Sequence, residues 1–140
     1  MFVLDTNVVS ELRKSRSGKA DKRVTAWARS VPASSLFLSV ITLLELEMGV
    51  LQVQRRDPAQ GTTLRAWLDG HVVPSFAGRV LPVDTAVALR CASLHVPDRC
   101  GERDALIAAS ALVHGMTVVT RNGLDFTRTG VAVLDPWSAL

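Results

Sequence analysis

The chain has 140 residues, 48% of them hydrophobic, with 16 Lys and Arg against 13 Asp and Glu for a formal charge of +3. With a mean hydropathy of +0.24, this composition excludes wholesale disorder and fits one domain over 1–140, long enough to enclose a core. It also argues against a membrane protein. The longest apolar runs, LFLSVITLL and ALIAASALV, fall far short of the roughly 20 residues that span a bilayer, no basic-then-apolar leader precedes Asp5, and the expected location is the cytoplasm.

Residues 2–4, FVL, form an apolar run cut off at once by polar residues, too short for a buried helix and therefore read as a buried strand. The pattern turns helical in TNVVSELR. From Lys19 the positions Ala20, Val24, Trp27 and Val31 recur at helical spacing, with Lys19, Lys22, Arg23 and Arg29 on the other side, until Pro32 ends the helix. Charge is concentrated here: Arg13, Lys14, Arg16, Lys19, Lys22, Arg23 and Arg29 face one acid, Asp21, leaving nine bases and twelve acids for the rest of the chain. A strip of this kind suits an anionic polymer such as nucleic acid, although a solvated helix face accounts for most charge runs.

LFLSV (36–40) reads as a second strand, followed by a long helix from Thr42 to about Val53. RRDPAQG then marks a break before a helical stretch around Leu64 to His71. RVLPVD (79–84) supplies a third, short strand, and TAVALRCASLHV is helical up to Pro97. The polar loop PDRCGE leads into RDALIAASALVHG, a helix ending at Gly115, and TVVT (117–120) and VAVL (131–134) are the last strands. Strands alternating with helices, apolar on both sides, imply an α/β fold with a parallel sheet covered on both faces. Cys91 and Cys100 lack CxxC spacing and a partnering His pattern, so both are read as reduced thiols.

In open parallel sheets ligands bind outside the carboxyl ends of the strands, and four acids fall at such places. Asp5 follows the first strand; Glu45 is placed in the first turn of the helix after the second; Asp104 begins the helix before TVVT; Asp125 lies in the loop after it. Capping and the helix dipole account for any one of them. As a set they ask for more, because Glu45 interrupts the apolar ITLLELEMGV and must be paired, hydrated or bound to a cation. Glu47 points to another face of the helix and is expected to be solvated. Clustered carboxylates repel unless a cation neutralises them, and oxygen donors without His or Cys favour Mg²⁺ or Mn²⁺ over zinc. Such a centre beside a basic strip is equipment for phosphodiester hydrolysis. No GxSxG, GxxxxGK[ST] or GxGxxG occurs, and His71, His95 and His114 are scattered and receive no catalytic role.

VLDTNVVSEL, SVITLLELEMGV with Thr42, Glu45, Leu46 and Gly49, and RDALIAASALVHGMTVVTRNGLDF, in this order and at this length, resemble the PIN-domain toxins of VapC type, in the branch of the plasmid-stability and FitB proteins. The resemblance implies a PIN-like domain with a parallel sheet of about five strands between helices, a Mg²⁺- or Mn²⁺-dependent endoribonuclease activity, and neutralisation by a cognate antitoxin of VapB type. It further implies a homodimer that meets operator DNA only through the antitoxin complex. Carried over position by position, the family's acids match Asp5, Glu45, Asp104 and Asp125, as catalytic residues and metal ligands. Asn7, Thr120 and Asn122 match polar positions that support the acids or orient substrate. Asp98 and Glu102 flank the site in sequence and are read as solvated loop and helix-start acids. Arg13, Lys14, Lys19, Lys22 and Arg23 are the candidate nucleic-acid contacts.

Two other readings compete. A phosphatase of haloacid dehalogenase type needs a second Asp where Asn7 stands, and a lysine later in the chain, whereas none follows Lys22. A binding module without catalysis would use the stretch from Arg13 to Arg29 and leave the acids as helix caps.

Overall fold

The computed structural model describes residues 1–138, and its middle strand is the first in the chain. β1 (Phe2–Leu4), β2 (Leu36–Ser39), β3 (Val80–Leu81), β4 (Thr117–Val119) and β5 (Val133–Leu134) pair in parallel in the order β3-β2-β1-β4-β5. The winding runs outward from β1 to β3, then returns to the other side of β1 for β4 and β5. It therefore reverses between β1 and β4, which is where sheets of this kind open a crevice at their carboxyl ends.

Alternation along each strand sends neighbouring side chains to opposite faces. Leu4, Leu36, Leu38 and Val119 pack with Val8, Val24, Leu46 and Val50 from α1 (Thr6–Arg13), α2 (Lys22–Ser30) and α3 (Val40–Arg56). Val3, Leu81 and Val118 face the other way, against Ile107, Ala108 and Ala111 of α7 (Glu102–His114). Val87 and Cys91 of α6 (Thr85–Leu94) then pack on Ala105 and Ala109 of α7. Each fully buried Val or Leu contributes about 1.5–3 kcal/mol. This two-sided burial is what holds strands of only two to four residues.

Helix caps move several boundaries away from those predicted. α2 starts at Lys22, not Lys19, because Gly18 turns left-handed (φ 71°) and Asp21 caps the helix, accepting from Arg23 N and Val24 N at 2.8 and 3.3 Å. α3 starts at Val40, not Thr42, where Ser39 Oγ accepts from Ile41 N at 3.1 Å. Glu45 therefore lies in the second turn of α3 rather than the first. The expected break at RRDPAQG shrinks to Asp57, which ends α3 and caps α4 (Pro58–Trp67) by accepting from Gln60 N at 3.3 Å, with Pro58 at the first helical position. The helical stretch expected to reach His71 widens into a π turn at Leu68–Val72 before α5 (Val73–Ser75), because the Pro74 ring cannot follow a regular turn over the Gly70 carbonyl.

α3 and α4 meet so closely that a Cβ on Gly61 would stand 2.5 Å from Gln54 Cα. Glu47 is not merely solvated: Arg65 of α4 grips it with two nitrogens, at 2.7 and 2.6 Å. Cys91 and Cys100 are free thiols as expected. A partnering histidine does exist, however, since His95 lies 3.8 Å from each sulfur. Among the described residues no helix is long and apolar enough to cross a membrane.

Candidate active site at the carboxyl ends of β1 and β4

Asp5 ends β1 and caps α1, and the winding reversal places it level with Thr120, the residue after β4. Its backbone N–H continues the ladder to Val119 O at 2.9 Å. The side chain is 6% exposed, and a carboxylate so buried must be satisfied locally. Thr6 N donates to Oδ1 at 2.8 Å, and the Thr120 hydroxyl donates to Oδ2 at 2.8 Å. Asn7 Nδ2 bridges Asp5 Oδ2 and Thr120 Oγ1, at 3.3 Å to each, while Asn7 Oδ1 accepts from Arg121 N at 3.2 Å. Thr120 Oγ1 also accepts from Asn122 N at 3.0 Å. The carboxylate thus sits in a fixed orientation.

The other three acids close around it. Glu45, from α3, accepts from the Thr6 hydroxyl on Oε1 at 2.7 Å and from Arg103 Nη1 on Oε2 at 3.4 Å. Asp104 stands in the first turn of α7, its carboxylate folded back beside Gly101. Asp125 lies on the exposed 3₁₀ turn Gly123–Thr129, held from below by buried Phe126. Burial is the main influence pushing the Asp5 carboxyl up, opposed by the hydrogen bonds from Thr120 and Thr6 and reinforced by Glu45 and Asp125. Asp104 is pushed up to about 6, first by burial and then by Asp5, Asp125 and Glu45, with Arg103 pulling the other way. Asp5 thus feels the charges of Glu45 and Asp125, and Asp104 feels those of Asp5, Asp125 and Glu45.

As they stand, no three carboxylate, imidazole or thiolate groups among the described residues form a tight cage for an ion. Acids spread in this way could hold an ion only through its own waters and one or two direct bonds. Mg²⁺ keeps several of its waters and takes one or two carboxylates directly. An oxygen-only pocket with a rigid, buried Asp5 at its floor fits Mg²⁺ or Mn²⁺, and it offers no soft ligand for zinc.

Asn7 and Thr120 hydrogen-bond Asp5, and Asn122 meets Thr120 through its backbone N–H. Asp98 pairs with Arg128 at 3.2 Å and Glu102 with Arg99 at 3.1 Å, and neither is among the charges that shift Asp5 or Asp104. The basic strip is partly spent. Lys14 pairs with Glu11 at 3.0 Å, Arg23 with Asp21 at 3.6 Å, and Arg13 lies 5.9 Å over the Trp67 ring. Lys19 and Lys22 are exposed. Arg13, Arg16, Trp67 and His71 line a cavity of about 460 Å³ that contains none of the four acids. Thr6 and Arg103 are site residues that sequence reasoning missed; their only signal was adjacency to Asp5 and Asp104.

A parallel sheet with reversed winding and an acidic pocket at the reversal defines a class, the α/β domains that gather carboxylates at the carboxyl edge of the sheet. Residues 2–132 match the model of the PIN domain, and the chain belongs to that family. It is 38% identical to VapC ribonuclease Y4jK of Sinorhizobium fredii, covering 98% of both chains. It is 35% identical to toxin FitB of Neisseria gonorrhoeae, covering 98% of this chain and 99% of FitB. The fold superposes on the structure of FitAB bound to an IR36 DNA fragment with a TM-score of 0.89 and 34% identity, over 100% of this chain and 98% of that one.

Proposed function

We propose that this chain is a single PIN-like domain serving as the toxin of a type II toxin–antitoxin pair, an endoribonuclease that hydrolyses RNA phosphodiester bonds with Mg²⁺ or Mn²⁺. The observation that supports this reading is that Asp5 and Asp104, at the carboxyl side of the sheet, are each pushed up by the charges of Glu45 and Asp125, in a chain similar to a VapC ribonuclease throughout its length. Asp5, Glu45, Asp104 and Asp125 would hold the cation between them, part of the set directly and the rest through its waters. When bound, the divalent cation supplies charge neutralisation at the phosphate and lowers the pKa of water. Thr120 and Asn7 keep the Asp5 carboxylate aimed into the pocket, and Thr6 does the same for Glu45. Water adds to phosphorus, the ester oxygen leaves, and the products are one hydroxyl end and one phosphate end.

Lys19 and Lys22, exposed members of the basic strip, would help draw RNA in, and neutralising both should flatten the salt dependence of RNA binding by about two counterions. A cognate antitoxin, and operator DNA reached through it, follow from the similarity to the FitAB–DNA assembly. A homodimer is supported by Val40, Leu44, Met48 and Leu51, which leave one face of α3 apolar and 38–52% exposed. The site of action is the cytoplasm.

Purified protein free of antitoxin should cut single-stranded RNA in Mg²⁺ or Mn²⁺, stop in EDTA, and lose about a hundredfold in rate with Asp5→Asn or Asp104→Asn, as loss of a carboxylate weakens the hold on the cation. RNA binding without cleavage would favour the binding module. Hydrolysis of small phosphomonoesters with RNA left intact would favour the phosphatase.

A further inference from the structure

Arg65 and Arg103 both pair with a glutamate of α3, and the two pairs differ in kind. Arg65 is locked, with both terminal nitrogens on Glu47 at 2.6 and 2.7 Å. Arg103 touches Glu45 through one nitrogen at 3.4 Å, beyond the usual 2.7–2.9 Å of a charge-assisted bond, and that nitrogen also lies 3.9 Å from Met48 Sδ. Its side chain is 52% exposed, against 25% for Glu45. No oxygen acceptor other than Glu45 is bonded to this guanidinium among the described residues. The other arginines close in sequence to the pocket acids are engaged elsewhere: Arg99 with Glu102, Arg128 with Asp98, Arg121 over the Trp137 ring at 5.2 Å.

A pocket of four carboxylates repels a phosphodiester, so an RNA phosphate needs a cation beside it as well as one within it. A guanidinium is suited to that task because its planar fork takes two phosphate oxygens at once. Resting on the ribonuclease reading of the pocket, we propose that Arg103 is the residue that receives the RNA phosphate, and that Glu45 holds its guanidinium aside until a divalent cation takes that carboxylate. The loose contact is thereby a latch. With the Glu45 carboxylate so occupied, Arg103 would be free to turn to the phosphate, and substrate binding would be coupled to metal binding.

Binding of a labelled single-stranded RNA in EDTA, where no cleavage occurs, tests the latch through a double-mutant cycle. Glu45→Gln keeps an acceptor for Thr6 but gives up the charge that holds Arg103. It should raise metal-free RNA affinity about fivefold or more, the lower range of typical site-to-site coupling. Arg103→Gln alone should leave the metal-free affinity nearly unchanged, because the latch already holds the guanidinium aside, and Glu45→Gln combined with Arg103→Gln should show little or no gain over Arg103→Gln alone. An equal gain with and without Arg103 would mean that only the removed negative charge matters, and would overturn the proposal. In Mn²⁺, Arg103→Gln should raise KM more than it lowers kcat; the opposite split would also overturn it. Cleavage by the wild-type protein together with an additive cycle sinks the latch alone. Wild-type protein that neither binds nor cuts RNA sinks the ribonuclease reading with it.

Discussion

Asp104 carries a carboxyl pushed up to about 6 from an ordinary 3.8 by burial and by Asp5, Asp125 and Glu45. Folding therefore takes up a proton between these two values, so the cost of ionising Asp104 in the folded chain is absent below about 3.8, grows as pH rises from there to about 6 and is complete above it. Asp104→Asn should accordingly raise Tm in EDTA at neutral pH. Mn²⁺ should raise the Tm of the wild-type protein and leave that of the variant nearly unchanged. A variant no more stable than wild type in EDTA would contradict the electrostatic picture. The same group makes metal binding pH-dependent: calorimetric Mn²⁺ affinity should fall about tenfold per unit of pH below 6, as one proton competes for the carboxylate.

Thr120 is the counterpart that keeps Asp5 ionisable. Its hydroxyl is completely used, donating to Asp5 and accepting from Asn7 and Asn122. Thr120→Val leaves a buried carboxylate short of a donor, at a cost of about 1–3 kcal/mol, and pushes the Asp5 carboxyl further up. Urea unfolding should register the loss, and Thr120→Ser should restore most of it. Equal midpoints for Thr120→Val and wild type would show that Asn7 and Thr6 suffice.

Among the elements, the α3–α4 pair is the most exacting contact. Gly61 is buried in α4, and an added Cβ meets the backbone of Gln54, not the end of a flexible side chain. Gly61→Ala should therefore destabilise by about 1–3 kcal/mol even though alanine favours helices, and a stabilised variant would show that the two helices can part freely. The boundaries of these helices were the least legible part of the sequence. Periodicity reports which side of a helix is apolar, and it runs without interruption through LFLSVITLL, whereas the start of α3 is decided by one bond to Ser39 Oγ. Ala20 likewise keeps the apolar spacing of α2 while lying ahead of its Asp21 cap. The strands, their parallel sense and the α/β class were legible because short apolar runs alternated with amphipathic ones.

For the molecule as a whole, strand order was not readable, because nothing local in the sequence says that β4 pairs with β1 on the side opposite β2. That pairing brings Thr120 to Asp5 across 115 positions of chain. Asp5 and Asp104 were legible as carboxylates at element ends and Asp125 as one in the loop after β4, whereas Glu45 lies a turn deeper in α3 than expected. Thr6 and Arg103 were not legible, since their contacts to Glu45 span 39 and 58 positions. The pocket they form is read as one that directs water, not the ribose 2′-hydroxyl, at the RNA phosphate. Cleavage in heavy-oxygen water tests this most directly, with the product ends analysed by mass spectrometry. The account requires that a primary phosphate end carry one solvent oxygen, that cleavage need Mg²⁺ or Mn²⁺, and that Asp5→Asn abolish it. Cyclic phosphate ends, or cleavage that persists in EDTA and in the Asp5→Asn protein, would contradict it.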